Sequence, residues 1–116
     1  MSESEIPAIA SIAAEATAQR ERRFELLVIE WKVQRNGYSS DPLELAMCIP
    51  YQKIIAMGPE VVPLILRELE KQPDHWFWAL NMLTDSNPIA PGHRGDFSKM
   101  VEDWLRWGRE NGFLPI

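Results

Sequence analysis

The sequence predicts an all-α fold, a compact single-domain bundle of five to six helices with one HEAT-like antiparallel helix pair. Three observations lead there. Apolar residues recur at intervals of three, four and seven, never alternately over a useful length, and β-branched residues are not grouped into strand-like runs. Stop and start signals divide the chain at Asn36-Gly37, Asp41-Pro42, Ile49-Pro50, Gly58-Pro59, Pro73-Asp74 and Asp96. Four of the five tryptophans fall between positions 76 and 107, which concentrates the folding determinants in the C-terminal two-thirds.

Each element has its own warrant. Residues 1–18 form an N-terminal helical arm, frayed over 1–7 and alanine-rich from Ala8 to about Ala18, too weakly apolar to fold alone. The domain proper is expected over 19–116. Phe24, Leu27, Val28 and Trp31 make an amphipathic stripe, and Gly37 suits a left-handed cap at its end. Asp41 is the expected N-cap of a short helix, with Pro42 at the first position and Glu44 completing a capping-box-like pair. Ile49-Pro50 interrupts that helix, because a residue before proline avoids helical geometry. Tyr51 to Met57 forms the next short helix, ended by Gly58.

A helix over 60–72 follows, with Pro63 in its first turn, an inner stripe of Val62, Ile65, Leu66 and Leu69, and Arg67, Glu68, Glu70 and Lys71 in water. Asp74 is expected to cap a helix over 75–84 that is apolar on every side and therefore central and buried. The turn formers of 85–96 make the longest loop. Asp96 caps the last helix, 97–110, whose inner face is Phe97, Met100, Val101, Trp104 and Leu105, with Gly108 and then Asn111-Gly112 at its end.

Composition narrows the function classes. At 116 residues with 46% apolar content, the chain buries a core without metal or disulfide help. The single cysteine, Cys48, excludes an internal disulfide, and its apolar setting predicts a buried structural thiol. A formal charge of −5 disfavours nucleic acid, whose affinity rests on phosphate neutralisation. No apolar run approaches the ~20 residues that span a bilayer. The acidic N-terminus lacks a signal peptide's positive region. A cytoplasmic protein with no membrane association is expected.

The run Tyr51-Gln-Lys-Ile-Ile-Ala-Met-Gly58, continued by His75-Trp-Phe-Trp-Ala-Leu80 and Trp104-Leu-Arg-Trp-Gly108, resembles a family of small prokaryotic helical proteins. The resemblance covers roughly residues 31 to 112. It implies a helical fold and carries over no activity and no catalytic residues. The family pattern implies a Thr-Gly-like stop after the aromatic helix. Here Thr84-Asp85 stands instead, and a changed turn is expected.

Chemistry is sparse. Two histidines and one cysteine at 75, 93 and 48 provide no paired ligands, so no metal and no cofactor are expected. No glycine-rich phosphate loop is present. Ser39 and Ser40 lie beside Asp41, where cap chemistry accounts for them. His75, in the turn after Pro73, reads as a neutral group closing the turn against aromatics. Carboxylates such as Glu68, Asp85 and Asp103 sit where solvated residues are expected. The best polar cluster is His93, Arg94 and Asp96 in the 85–96 loop. Trp31, Trp76 and Trp104 fall on inner faces, which leaves Trp78 and Trp107 in surplus. Tryptophan and arginine are enriched at binding hot spots, so Trp107 with Arg106 and Arg109 is the expected binding surface.

The leading expectation is a non-enzymatic interaction or adaptor module whose partner is another protein or a second copy of itself. The alternatives are a small enzyme or enzyme subunit around the 85–96 loop, and an antitoxin-like or immunity-like regulator.

Overall fold

The computed structural model describes residues 2–35 and 41–116, the side chains of 2–8 excepted. The expected stop at Asn36-Gly37 and the serines 39 and 40 lie outside the described residues. Among the described residues there are six α-helices and no strands, the all-α single-domain bundle expected. In chain order these are α1 (Ser2–Gln34), α2 (Pro42–Ala46), α3 (Ile49–Ala56), α4 (Val62–Lys71), α5 (Phe77–Thr84) and α6 (Phe97–Glu110). No helix among the described residues is long and apolar enough to cross a membrane.

α1 runs unbroken for 33 residues, joining the alanine-rich stretch to the amphipathic one. It packs on α3 through the stripe Phe24, Leu27, Val28 and Trp31, all buried. The short α2 follows the Asp41 cap, whose carboxylate accepts from the Leu43 N–H at 3.0 Å. The break expected at Ile49-Pro50 falls earlier, at Met47 and Cys48: α2 ends at Ala46, and Ile49 and Pro50 form the first turn of α3, where proline's missing N–H needs no partner. Gly58, at φ 90°, makes the turn into a short 3₁₀ segment, Pro59–Val61, that leads into α4. The inner stripe of α4 is buried as expected, and its neighbours are α5 and, more extensively, α6.

The centre is aromatic. Trp31, Tyr51 and Trp76 are each fully buried, with ring centroids 4.6 Å apart for Trp31–Trp76 and 5.0 Å for Trp31–Tyr51. Tyr51 stacks on Trp76 at 5.6 Å and 12°, and Phe24 closes the group at 6.0 Å from Trp76. The Tyr51 hydroxyl donates to the His75 carbonyl at 3.0 Å and accepts the Ala79 N–H at 2.9 Å. One phenol thus satisfies two backbone groups at the entry to α5. Burial pushes its ionisation well above the usual tyrosine range, with the Ala79 N–H pulling weakly the other way, so it stays a donor. Trp31 donates its indole N–H to the Leu45 carbonyl at 2.8 Å, tying α1 to α2.

Five further expectations need correction. Asp74 does not cap a helix beginning at 75. It binds both guanidinium nitrogens of Arg35, one at 2.7 Å, and accepts the His75 N–H, while α5 begins at Phe77. Arg35 also lies over the Trp31 ring at 4.1 Å. α5 is not buried all round: Ala79 and Leu80 face the core, whereas Trp78 and Met82 are exposed. A helix of eight residues is covered from one side only. Phe97 and Met100 do not join the core face of α6, which is Val101, Asp103, Trp104 and Gly108. Gly108 does not end α6 but lies within it. A Cβ there would stand 2.9 Å from Leu66 Cδ1 and 3.1 Å from Leu114 Cδ1, so any larger residue must displace those leucine methyls where α6 crosses α4. Cys48 is half-buried rather than buried and precedes α3.

The Thr84-Asp85 turn keeps the left-handed geometry that glycine would supply. Asp85 ends α5 at φ 53° and is the one non-glycine residue with positive φ among those described.

Removing the Tyr51 hydroxyl orphans a buried N–H and a buried carbonyl. Tyr51→Phe is expected to lower the unfolding free energy by about 1–3 kcal/mol, read as an earlier urea midpoint at unchanged slope.

Candidate functional site

Two features of the C-terminal half draw together the chemistry of the chain: a buried carboxylate and an aromatic cleft. The carboxylate is Asp103. It is 1% exposed on the inner face of α6, the buried charged residue among those described, and so contradicts the expectation of a solvated position. Its burial is made tolerable by three donors. The Ala90 N–H reaches Oδ2 at 3.1 Å, His93 Nδ1 reaches Oδ2 at 2.7 Å, and Arg106 Nη2 reaches Oδ1 at 2.6 Å.

The sequence sets up each contact locally. Arg106 lies one helical turn beyond Asp103, where i and i+3 side chains meet. Pro91–His93 form a 3₁₀ turn that brings the imidazole under α6. The hydrogen bond from His93 is the largest influence on the Asp103 carboxyl. Burial opposes it, and the Ala90 N–H and Arg106 add to it, so the pKa falls to about 2. An ionised carboxylate only accepts, so Nδ1 is the protonated ring nitrogen of His93. The arrangement fastens the 85–96 loop to α6.

The other sequence-predicted site residues are dispersed. Asp96 caps α6 through the Lys99 N–H at 3.2 Å. Arg94 is exposed, with no partner among the described residues. Arg106 and His93 do meet, through Asp103. Trp107 is half-buried, with its ring stacked on Phe113 at 5.3 Å and edge-on to Trp104 at 5.3 Å. Arg109 reaches across to Glu70 of α4 at 3.0 Å. Trp107, Arg106 and Arg109 therefore engage Phe113, Asp103 and Glu70 respectively.

The cleft lies beside this knot and has a volume of about 780 Å³. One wall is α5, contributing Phe77, Trp78 and Asn81, with His75 from the turn before it. The other is α6 from its start to its middle, contributing Phe97, Met100 and Trp104. Ile89 and Asn87 come from the loop, and Leu43 from the start of α2. Phe97 meets both His75, at 5.4 Å, and Phe77, at 5.6 Å, each ring edge-on. His75 thus closes the turn against aromatics, as its sequence position suggested. Trp78 is 41% exposed. The indole N–H of Trp104 is buried with no hydrogen-bond partner among the described residues.

Sequence reasoning missed the cleft because it assigned Phe97 and Met100 inward and α5 to the centre. The available signal was the i, i+4 pair Trp78 and Met82, which faces away from Ala79 and Leu80. It also missed Asp103, whose only local signal is Arg106 one turn later. No group of three or more His, Cys, Asp or Glu side chains among the described residues is placed to hold a metal ion.

The Asp103 knot sets an acid limb. Because its folded pKa lies below the usual value of 3.8, its contribution to stability is complete above about pH 4 and is lost as pH falls toward about 2. Asp74 acts in the same direction. Burial there raises the pKa, but hydrogen bonds from Arg35 and the His75 N–H outweigh it. Asp103→Asn is expected to melt several degrees lower at pH 7 and to show a shallower loss between pH 4 and 2 than the parent, as followed by circular dichroism. An unchanged acid limb would remove Asp103 as its main source.

Comparison with known proteins found no matching family model, no matching curated protein and no matching solved structure, so the functional reading rests on this geometry.

Proposed function

We propose that this protein is a small non-enzymatic interaction module that seats an apolar segment of a protein partner in the cleft between α5 and α6. The observation that carries the reading is Trp78. A large, rigid, partly exposed indole projects from a helix whose other face is fixed in the core, beside Phe77, Phe97 and Met100. Such groups are the usual anchors of binding hot spots, and methionine lends the wall adaptability. A volume of about 780 Å³ exceeds one side chain and suits the two or three apolar side chains on one face of a helix. The α4–α5 pair then acts as a single HEAT-like unit that presents its second helix to the partner.

A second reading, a small enzyme at the 85–96 loop, is favoured by one observation. A buried carboxylate orients the His93 ring, the geometry that general bases use. His93 is absent from the lining of the cleft, so on that reading chemistry would take place beside the binding surface rather than within it.

The test is affinity capture with the wild type and Trp78→Ala, followed by reconstitution of the recovered partner with purified protein. Trp78→Ala is expected to leave the melting temperature within about 2 °C and to weaken the reconstituted complex at least about thirty-fold. Equal capture by both proteins would remove the cleft from the account. A partner lost on His93→Gln but kept on Trp78→Ala would transfer the reading to the loop.

A further inference from the structure

α1 carries a second apolar stripe that its own domain does not use. Leu26, Ile29 and Val33 are 62%, 58% and 68% exposed. At ~100° per residue they fall within an arc of about 60°, nearly opposite the packed stripe of Phe24, Leu27, Val28 and Trp31. Their spacing of three and four is that of a helix–helix seam. Continued toward the N-terminus, the seam meets Arg22 and Gln19, so only its C-terminal half is apolar.

From this we propose that two copies of the chain pair through α1 in antiparallel orientation, with the twofold axis passing between positions 27 and 28. In that register Leu26 of each copy faces Ile29 of the other, and Val33 lies along the aliphatic stem of Arg22. The flanks carry the argument for this occupant. On one side Arg23 comes opposite Glu30 of the second copy, and Glu30 opposite its Arg23. Both residues are exposed, and neither has an ion-pair partner among the described residues. On the other side Glu25 comes opposite Lys32, a weaker contribution because Lys32 already reaches Glu68 at 3.7 Å. All flanking pairs are thus of opposite sign.

A parallel, in-register pair has the reverse pattern. Arg22 would face itself across the seam, and Glu25 would face Glu30 on both sides, so like charges meet at the centre. The packed stripe of each α1 lies on the side away from the seam, with α4 beside the Glu25 and Lys32 flank. The dimer is independent of the cleft, which lies between α5 and α6.

Sedimentation equilibrium of the full chain over a micromolar range is the test. The wild type is expected at twice its 13.4 kDa monomer mass. Leu26→Glu should raise the dissociation constant at least about a hundredfold while leaving the helical circular dichroism intact, since the residue is exposed. Arg23→Glu and Glu30→Arg should each weaken the dimer about tenfold. The combination Arg23→Glu with Glu30→Arg should restore most of the lost affinity. A wild type that stays monomeric, or a dimer indifferent to Leu26→Glu, overturns the proposal. Loss on Leu26→Glu without restoration by the charge exchange overturns the antiparallel register.

Discussion

The rest of the fold depends on a phenol in an otherwise apolar centre. Tyr51 packs against both Trp31 and Trp76, which also touch each other, and its hydroxyl bonds the His75 carbonyl and the Ala79 N–H. The turn from Pro73 to Trp76 leaves backbone groups without helical partners, because α5 does not begin until Phe77. Buried backbone groups must find partners or cost free energy comparable to a lost hydrogen bond. Tyr51 supplies both from α3, and Arg35 of the α1 end fixes the same turn through Asp74. Two elements far apart in sequence therefore converge on one turn. The direction in which α5 leaves it decides where Trp78 points.

The second polar device works at the other wall. Asp103 enters the interior because the loop brings an imidazole and a backbone amide to it, and α6 brings a guanidinium. The loop is held otherwise by Ile89 against the core and by hydrogen bonds of Ser86 with Asn81 and Thr84 near its start. Charge and loop each make the other's position tenable. Between the Tyr51 turn and the Asp103 knot, the two walls of the cleft are set by directional hydrogen bonds rather than by apolar packing alone. That pre-organisation lowers the ordering cost of binding. Trp78 and Phe97 remain partly exposed along the cleft, although Phe97 already meets Phe77 and His75 edge-on.

Much of this was legible in the sequence, and the exceptions share a cause. Trp31, Trp76 and Trp104 are buried as their periodicity implied, and the stripe of α4 is the one read from its spacing. Local signals sufficed there because burial and helical period agree. Asp103 was misread because a lone carboxylate at helical spacing beside Glu102 looks solvated. Its partners Ala90 and His93 are 13 and 10 residues away, across a loop. Asp74 was misread because its cap-like place after proline resembles Asp41, which does cap. Only Arg35, 39 residues earlier, distinguishes the two. Phe97 and Met100 fit an inward stripe by period, yet α6 reaches the core only from Val101 onward, and its first turn borders the cleft instead. Long-range pairing, not local propensity, separates the correct readings from the failed ones.

The central claim is that Tyr51 makes the entry of α5 part of the cooperative core. Native-state amide hydrogen exchange at Ala79 tests it directly, with the core amides of α4 as the reference for global opening. The account predicts that the Ala79 N–H exchanges only through global unfolding, with an opening free energy equal to that of α4 and the same dependence on denaturant. Exchange at Ala79 through a local opening, well below the global value while α4 stays protected, would contradict it.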